Sequence, residues 1–239
     1  MLVTPGTQAG TIGGGRLEWE CVADARMLLA TGGPAVERDI VLGPDMGQCC
    51  GGAVRVRIER ADPAVFDTLA HEVAAVRAAW PPLLLFGAGH VGRALARALA
   101  PLPLRLVWID PRGEEFGVVP DGVEARITAD WEGAIAAAPP GAGVLVLTPS
   151  HALDALIVAA ALERGDFRYV GLIGSKTKRR RFESGFRTLG LSEERIATLV
   201  CPVGDRGIRD KRPEIIAALV AAEIVETLLQ ERPVREGGA

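Results

Sequence analysis

Apolar and polar positions fall into two regimes along this chain. From residue 82 onward, short apolar runs alternate with longer stretches in which apolar residues return every third or fourth position. The pattern predicts strands over 83–86, 104–110, 123–128, 144–147, 169–173 and 197–200. The periodic stretches between and after them predict helices over 90–99, 130–138, 152–164, 176–189 and 213–229. Such alternation argues for a parallel sheet covered by helices on both faces. Before residue 82 the pattern changes to Gly-rich turns, an amphipathic helix over 18–30 and strand-like runs at 38–42 and 53–59. A helix over 63–80 follows, with Asp62 as its cap and Pro63 in its first turn, and Pro81-Pro82 ends it. The class is α/β: a small N-terminal α+β domain (1–62), a linker helix (63–81) and a parallel-sheet domain (82–239), with residues 233–239 frayed.

Composition narrows the setting. The chain has 239 residues, 49% hydrophobic and 24% charged, which is ordinary for a globular protein and argues against disorder. A net charge of −3 gives no reason to expect nucleic acid or an anionic membrane as partner. No apolar run approaches the ~20 residues that span a bilayer, and the N-terminus reads as neither signal nor anchor. Four cysteines do not make a disulfide framework at this size, so a reduced, cytoplasmic setting is expected.

Candidate chemistry starts at Phe86-Gly-Ala-Gly-His-Val-Gly92, a G-x-G-x-x-G turn between a strand and a helix. Gly87 permits the tight turn, Gly89 allows a phosphate close to backbone, and Gly92 lets helix pack on strand. The helix opening at His90 presents free N–H groups to an anion. Asp110 closes the next strand, 21 residues after Gly89, where a Rossmann-type site places its ribose-binding acid. The C-terminal domain is therefore expected to be Rossmann-like.

A second strand-turn-helix crossing, Gly171-Leu-Ile-Gly-Ser-Lys176, places Gly174 and Ser175 at another helix start. Ser175 is expected to cap that helix and Lys176 to reach a phosphate; a merely solvated face is the plain alternative for Lys178 to Arg181 and the reading taken for Arg180 and Arg181. Thr148-Pro-Ser-His-Ala-Leu-Asp154 opens on the same sheet edge, with His151 near a helix N-terminus. Asp154 is either its chemical partner or a first-turn capping acid. Cys201 reads as a buried small hydrophobe, and His71 has no assigned role.

The least ordinary segment is Asp45-Met-Gly-Gln48-Cys49-Cys50-Gly-Gly52. Vicinal thiols between glycines suit a soft metal or sulfur transfer, yet nothing nearby completes a tetrahedral zinc site. Two inert thiols in a tight turn are the plain alternative.

Together with Gly10-Thr-Ile-Gly-Gly-Gly15, Leu17-Glu18, Cys201-Pro-Val-Gly204 and Gly207-Ile-Arg209, these segments resemble the xanthine dehydrogenase accessory protein family, the XdhC/CoxI group. The motifs run in family order across nearly the whole chain, and Gln-Cys-Cys-Gly-Gly is the most specific of them. The resemblance implies a cytosolic homodimer without catalytic turnover of its own. Such a chaperone binds molybdenum cofactor (molybdopterin) and shields it from oxidation. It supports sulfuration by a cysteine desulfurase and hands the cofactor to apo-xanthine dehydrogenase. Gln48, Cys49 and Cys50 would then lie near molybdenum, with Gly89, His90, Ser175 and Lys176 near the anionic end. Gly87, Gly92, Asp110, His151 and Gly174 complete the expected cofactor-binding set. Against the family pattern the chain opens inside the usual N-terminal domain, which is expected to lack its first strand and to leave a sheet edge exposed. Two other readings compete: an NAD-dependent oxidoreductase using Gly87, Gly89, Gly92 and Asp110, and a redox or metal sensor built on Cys49-Cys50.

Overall fold

The structure is a computed structural model and describes residues 1–42 and 52–230. Residues 43–51, which carry Gln48, Cys49 and Cys50, lie outside the described residues, as do 231–239. The chain divides into two compact units, 1–73 and 74–239.

In the first unit, β1 (Leu2–Val3) pairs antiparallel with β2 (Gln8–Ala9). Helix α1 (Gly15–Thr31) follows and buries Leu17, Cys21, Val22 and Leu28 along one stripe. Gly32, in the left-handed region at φ 70°, ends it by donating its N–H to the Leu28 carbonyl. Strands β3 (Val36–Leu42) and β4 (Gly52–Ile58) then pair antiparallel, from Val36 opposite Ile58 to Leu42 opposite Gly52. Helix α2 (Pro63–Ala79) starts at Asp62, whose carboxylate accepts from the Val65 N–H at 2.9 Å. The division between the units falls within this helix.

The second unit is a six-stranded parallel sheet. Its strands are β5 (Pro82–Phe86), β6 (Arg105–Asp110), β7 (Glu124–Ile127), β8 (Gly143–Val146), β9 (Tyr169–Leu172) and β10 (Leu199–Val200). Their spatial order is β10-β9-β8-β5-β6-β7, with every neighbouring pair parallel. Chain direction across the sheet therefore reverses between β5 and β8, the topological switch point of a Rossmann sheet.

Alternation along the strands builds two apolar layers. Leu83 and Leu85 face one way, with Leu95 and Leu99 of α3 (His90–Leu99) and Val220 and Ile224 of α8 (Pro213–Ile224). Leu84 and Phe86 face the other way, in a layer with Ile135 of α4 (Trp131–Ala137), Ile157 and Leu162 of α5 (His151–Arg164), and Phe182 and Phe186 of α6 (Lys176–Thr188). Each fully buried leucine contributes roughly 1.5–3 kcal/mol.

The elements differ from the sequence reading most in the following places. A short helix α7 (Glu193–Ala197), capped by Ser192, occupies the front of the expected 197–200 strand, so β10 keeps 2 residues. The 2-residue strands β1 and β2 are too short for a periodic signal. The last helix is α-helical only to Ile224 and continues to Leu229 as a π-turn. Strand β7, expected over 123–128, is a shorter strand with exposed residues at the sheet edge.

Candidate functional site

Because all six strands of the sheet are parallel, their carboxyl ends share one edge, and three of the turns leaving it are stitched together. The first follows β5. Gly87 has φ +116°, and a Cβ built there would lie 2.4 Å from the Leu147 carbonyl oxygen. A Cβ on Gly92 would lie 2.1 Å from the Gly87 carbonyl oxygen. Both glycines are thus required by the protein's own packing. Gly89 differs: its φ is −65° and a Cβ there would meet nothing within 4 Å. It opens α3 as its N-cap without any side-chain cap, beside the exposed His90. The first backbone N–H groups of a helix lack intrahelical acceptors, which suits an anion.

Side chains of β6 fix this turn from below. The buried Trp108 donates its indole N–H to the Gly87 carbonyl at 2.9 Å and stacks edge-on against Phe116. Asp110, 2% exposed, accepts from the Ala88 N–H at 2.8 Å. Its remaining acceptor positions go to Arg112: the backbone N–H and Nε on Oδ1, both at 2.9 Å, and Nη2 on Oδ2 at 2.8 Å. Burial works to raise the Asp110 pKa, but the bonds from Arg112 and Ala88 outweigh it and hold the carboxyl below its ordinary value. Arg93 of α3 completes the cradle by donating to the carbonyls of Ala88 and Glu115.

The second turn follows β8 and packs backbone-on-backbone against Gly87. Ser150 caps α5 by accepting from the Leu153 N–H. Asp154 is fully buried and does not turn to His151, which is exposed. It accepts from the Thr148 backbone N–H at 2.9 Å and the Thr148 hydroxyl at 2.8 Å. Its other oxygen takes the Lys178 ammonium at 2.7 Å.

That lysine comes from the third turn, after β9. It also donates to the Ile173 carbonyl at 3.0 Å and lies over the Phe182 ring. Lys178 is therefore not part of a solvated face: an acid buried on α5 draws it inward. Arg180 and Arg181 are exposed as expected. Ser175 caps α6 by accepting from the Lys178 N–H at 3.1 Å, and Lys176 extends into solvent, 3.8 Å from Asp205. Gly174 is set by packing, since a Cβ there would meet Lys178 Cδ at 2.9 Å and Cys201 Sγ at 3.2 Å. Cys201 is buried and its thiol pKa is pushed up by that burial.

Of the expected residues, the structure brings Gly87, Gly89, His90, Gly92 and Asp110 onto one turn, with the His151 turn packed beside it. Gly174, Ser175 and Lys176 belong to the next turn, tied in through Lys178. Gln48, Cys49 and Cys50 lie outside the described residues. Among the described residues no group of His, Cys, Asp or Glu could hold a metal ion, and no helix is long and apolar enough to cross a membrane. Sequence reasoning missed Lys178 and Arg112. The signal for the first was a lone acid, Asp154, inside an apolar helix, which requires a buried partner.

Comparison with known proteins agrees with this architecture. Residues 83–224 match the XdhC Rossmann domain and residues 1–39 match the XdhC and CoxI family. The uncharacterized protein YqeB of Escherichia coli (strain K12) is 30% identical over 231 residues, which cover 92% of this chain. The match spans 38% of that relative's length. A crystal structure of a xanthine dehydrogenase from Bacillus halodurans superposes with a TM-score of 0.71 at 19% identity, covering 97% of this chain and 86% of that one. At that identity the likeness establishes the fold.

Proposed function

The chain belongs to the XdhC and CoxI family, and on that premise we propose that it is an accessory protein that carries molybdenum cofactor. In this reading it shields the cofactor, supports its sulfuration by a cysteine desulfurase, delivers it to apo-xanthine dehydrogenase and turns nothing over by itself. It would act as a cytoplasmic homodimer. The cofactor is cargo here, a dithiolene-bound molybdenum with a pterin and a terminal phosphate.

One observation carries the reading, the vacant space above Gly89. Neither backbone conformation nor neighbouring atoms require glycine at that position, whereas Gly87 and Gly92 are required. A ligand that must approach the backbone accounts for it, and the helix N-terminus favours an anionic group such as the phosphate. His90 follows Gly89 directly, and the turn after β8 packs against Gly87. Cys49 and Cys50 would supply the soft thiolate donors that a molybdenum centre calls for.

The test is anaerobic incubation of the purified protein with released molybdenum cofactor, then gel filtration and quantification of co-eluting molybdenum and pterin. Stoichiometric co-elution, lost in the Cys49→Ala/Cys50→Ala double variant, is the expected result. A folded protein that emerges free of molybdenum and pterin overturns the reading.

A further inference from the structure

The turn after β5 has every backbone feature of a dinucleotide site, yet its acid is already spent. An ionised carboxylate offers about four lone-pair positions. In Asp110 one is filled by the Ala88 N–H and three by Arg112. With the side chain 2% exposed, no acceptor remains for a ribose hydroxyl. Arg112 is itself held from behind: Glu115 Oε1 lies 3.5 Å from its Nη1, and Glu115 also pairs with Arg93 at 3.1 Å. Pro111 and Arg112 follow Asp110 directly, so a local loop closes the fork onto the carboxylate.

We infer that Arg112 determines specificity at this turn: by filling the acceptor positions of Asp110 it removes the ribose-diol reader. The turn is left to a phosphorylated ligand gripped through backbone N–H groups, and NAD is excluded. The inference rests on the Gly87–Gly92 turn being the ligand turn of the proposed function, and it narrows the ligand class to phosphate esters recognised without a vicinal diol.

Calorimetry with NAD, NADP and inorganic pyrophosphate tests it on the full chain, its Arg112→Ala and Arg112→Gln variants, and the Asp110→Asn/Arg112→Ala double variant. The wild type should bind pyrophosphate and give no saturable isotherm with either dinucleotide. Freeing Asp110 in either single variant should raise NAD affinity about ten- to a hundredfold, the worth of a hydrogen bond to a charged acceptor. The double variant should lose that gain, and pyrophosphate affinity should stay unchanged in the two single variants, where Asp110 still holds the Ala88 N–H. Circular dichroism melts identify which variants are folded, and the two substitutions at Arg112 give independent chances of a folded one.

Wild-type binding of NAD or NADP that falls when Asp110 or Arg112 is replaced would overturn the inference. So would a folded Arg112 variant that gains no NAD affinity, or a wild type that ignores pyrophosphate. The cofactor co-elution assay is a separate readout. Its failure alongside the expected dinucleotide pattern would remove the chaperone reading and leave the role of Arg112 standing.

Discussion

Lys178, on α6, places its ammonium 2.7 Å from the carboxylate of Asp154, on α5, and this ion pair joins two turns of the sheet edge. Asp154 is fully buried and holds the turn after β8 through Thr148, while Lys178 holds the turn after β9 through the Ile173 carbonyl. Removing the cation leaves a buried acid without its countercharge, which costs about 3–5 kcal/mol, whereas an exposed pair is worth under about 1 kcal/mol. Lys178→Met is therefore expected to lower unfolding free energy by the larger amount in urea, and Asp154→Asn added to it should restore part of the loss. A single-variant loss below about 1 kcal/mol would mean the pair behaves as a surface contact.

The three glycines of the β5 turn should separate by kind. Gly87→Ala and Gly92→Ala force a Cβ to within 2.4 Å and 2.1 Å of backbone carbonyl oxygens, and Gly87 adds a φ of +116°. Each should destabilise by at least the 1–3 kcal/mol typical of overpacking, because backbone cannot swing aside as a side chain can. Gly89→Ala meets no atom and should stay within about 1 kcal/mol of wild type in a denaturant melt. Pyrophosphate and cofactor binding should nevertheless fall at Gly89→Ala, since the new methyl occupies the vacant space. A Gly89→Ala protein that binds as wild type would show that the space is not the ligand's.

Much of this was legible in the sequence where a residue's environment follows from its neighbours along the chain. Leu83 to Phe86 read as a strand because a short apolar run buried on both faces leaves no polar face, and Gly87 to Gly92 read as a turn from spacing alone. Ser175 and Asp62 read as caps for the same local reason. What failed to read was pairing across elements. Lys178 sits in a run of cations, and only the fold brings it to a carboxylate 24 residues away. Asp110 read as a free ribose acid because spacing places the carboxylate but says nothing of who already holds it. The 2-residue β10 yielded to α7 because Ser192 with Glu193 and Glu194 makes a stronger local helix start than the apolar residues after it make a strand.

Acid should remove the stabilisation that Asp110 gives the β5 turn. Asp110 has its folded pKa below the ordinary carboxyl value, since hydrogen bonds from Arg112 and Ala88 outweigh the opposing effect of burial. Its contribution is therefore complete above the unfolded value near 4 and is lost as pH falls below that value through the lower folded one. Stability measured against pH should fall more steeply below about pH 4 in the wild type than in Asp110→Asn. Equal acid slopes in the two proteins would rule out this coupling.

Tyr169 is the chain's single tyrosine, so its ionisation can be read alone from the tyrosinate band in the near ultraviolet. It lies in β9, 2% exposed, and donates its hydroxyl to Glu223 Oε1 at 2.6 Å, while Glu223 Oε2 accepts from the Gly204 N–H at 2.9 Å. Burial, reinforced by the neighbouring Glu223 carboxylate, raises the phenol pKa far above its ordinary value. A raised folded pKa means that the stabilisation is complete below the unfolded value near 10 and is lost as pH climbs above it. The native protein should therefore show no tyrosinate band through pH 10, and the band should appear only together with alkaline unfolding followed by circular dichroism. Tyr169→Phe keeps the ring but removes the donor to Glu223, and should cost about 1–3 kcal/mol in urea. A tyrosinate band rising with a midpoint near 10 while the circular dichroism stays native would show that the phenol is open to solvent and that the β9–α8 bridge does not form.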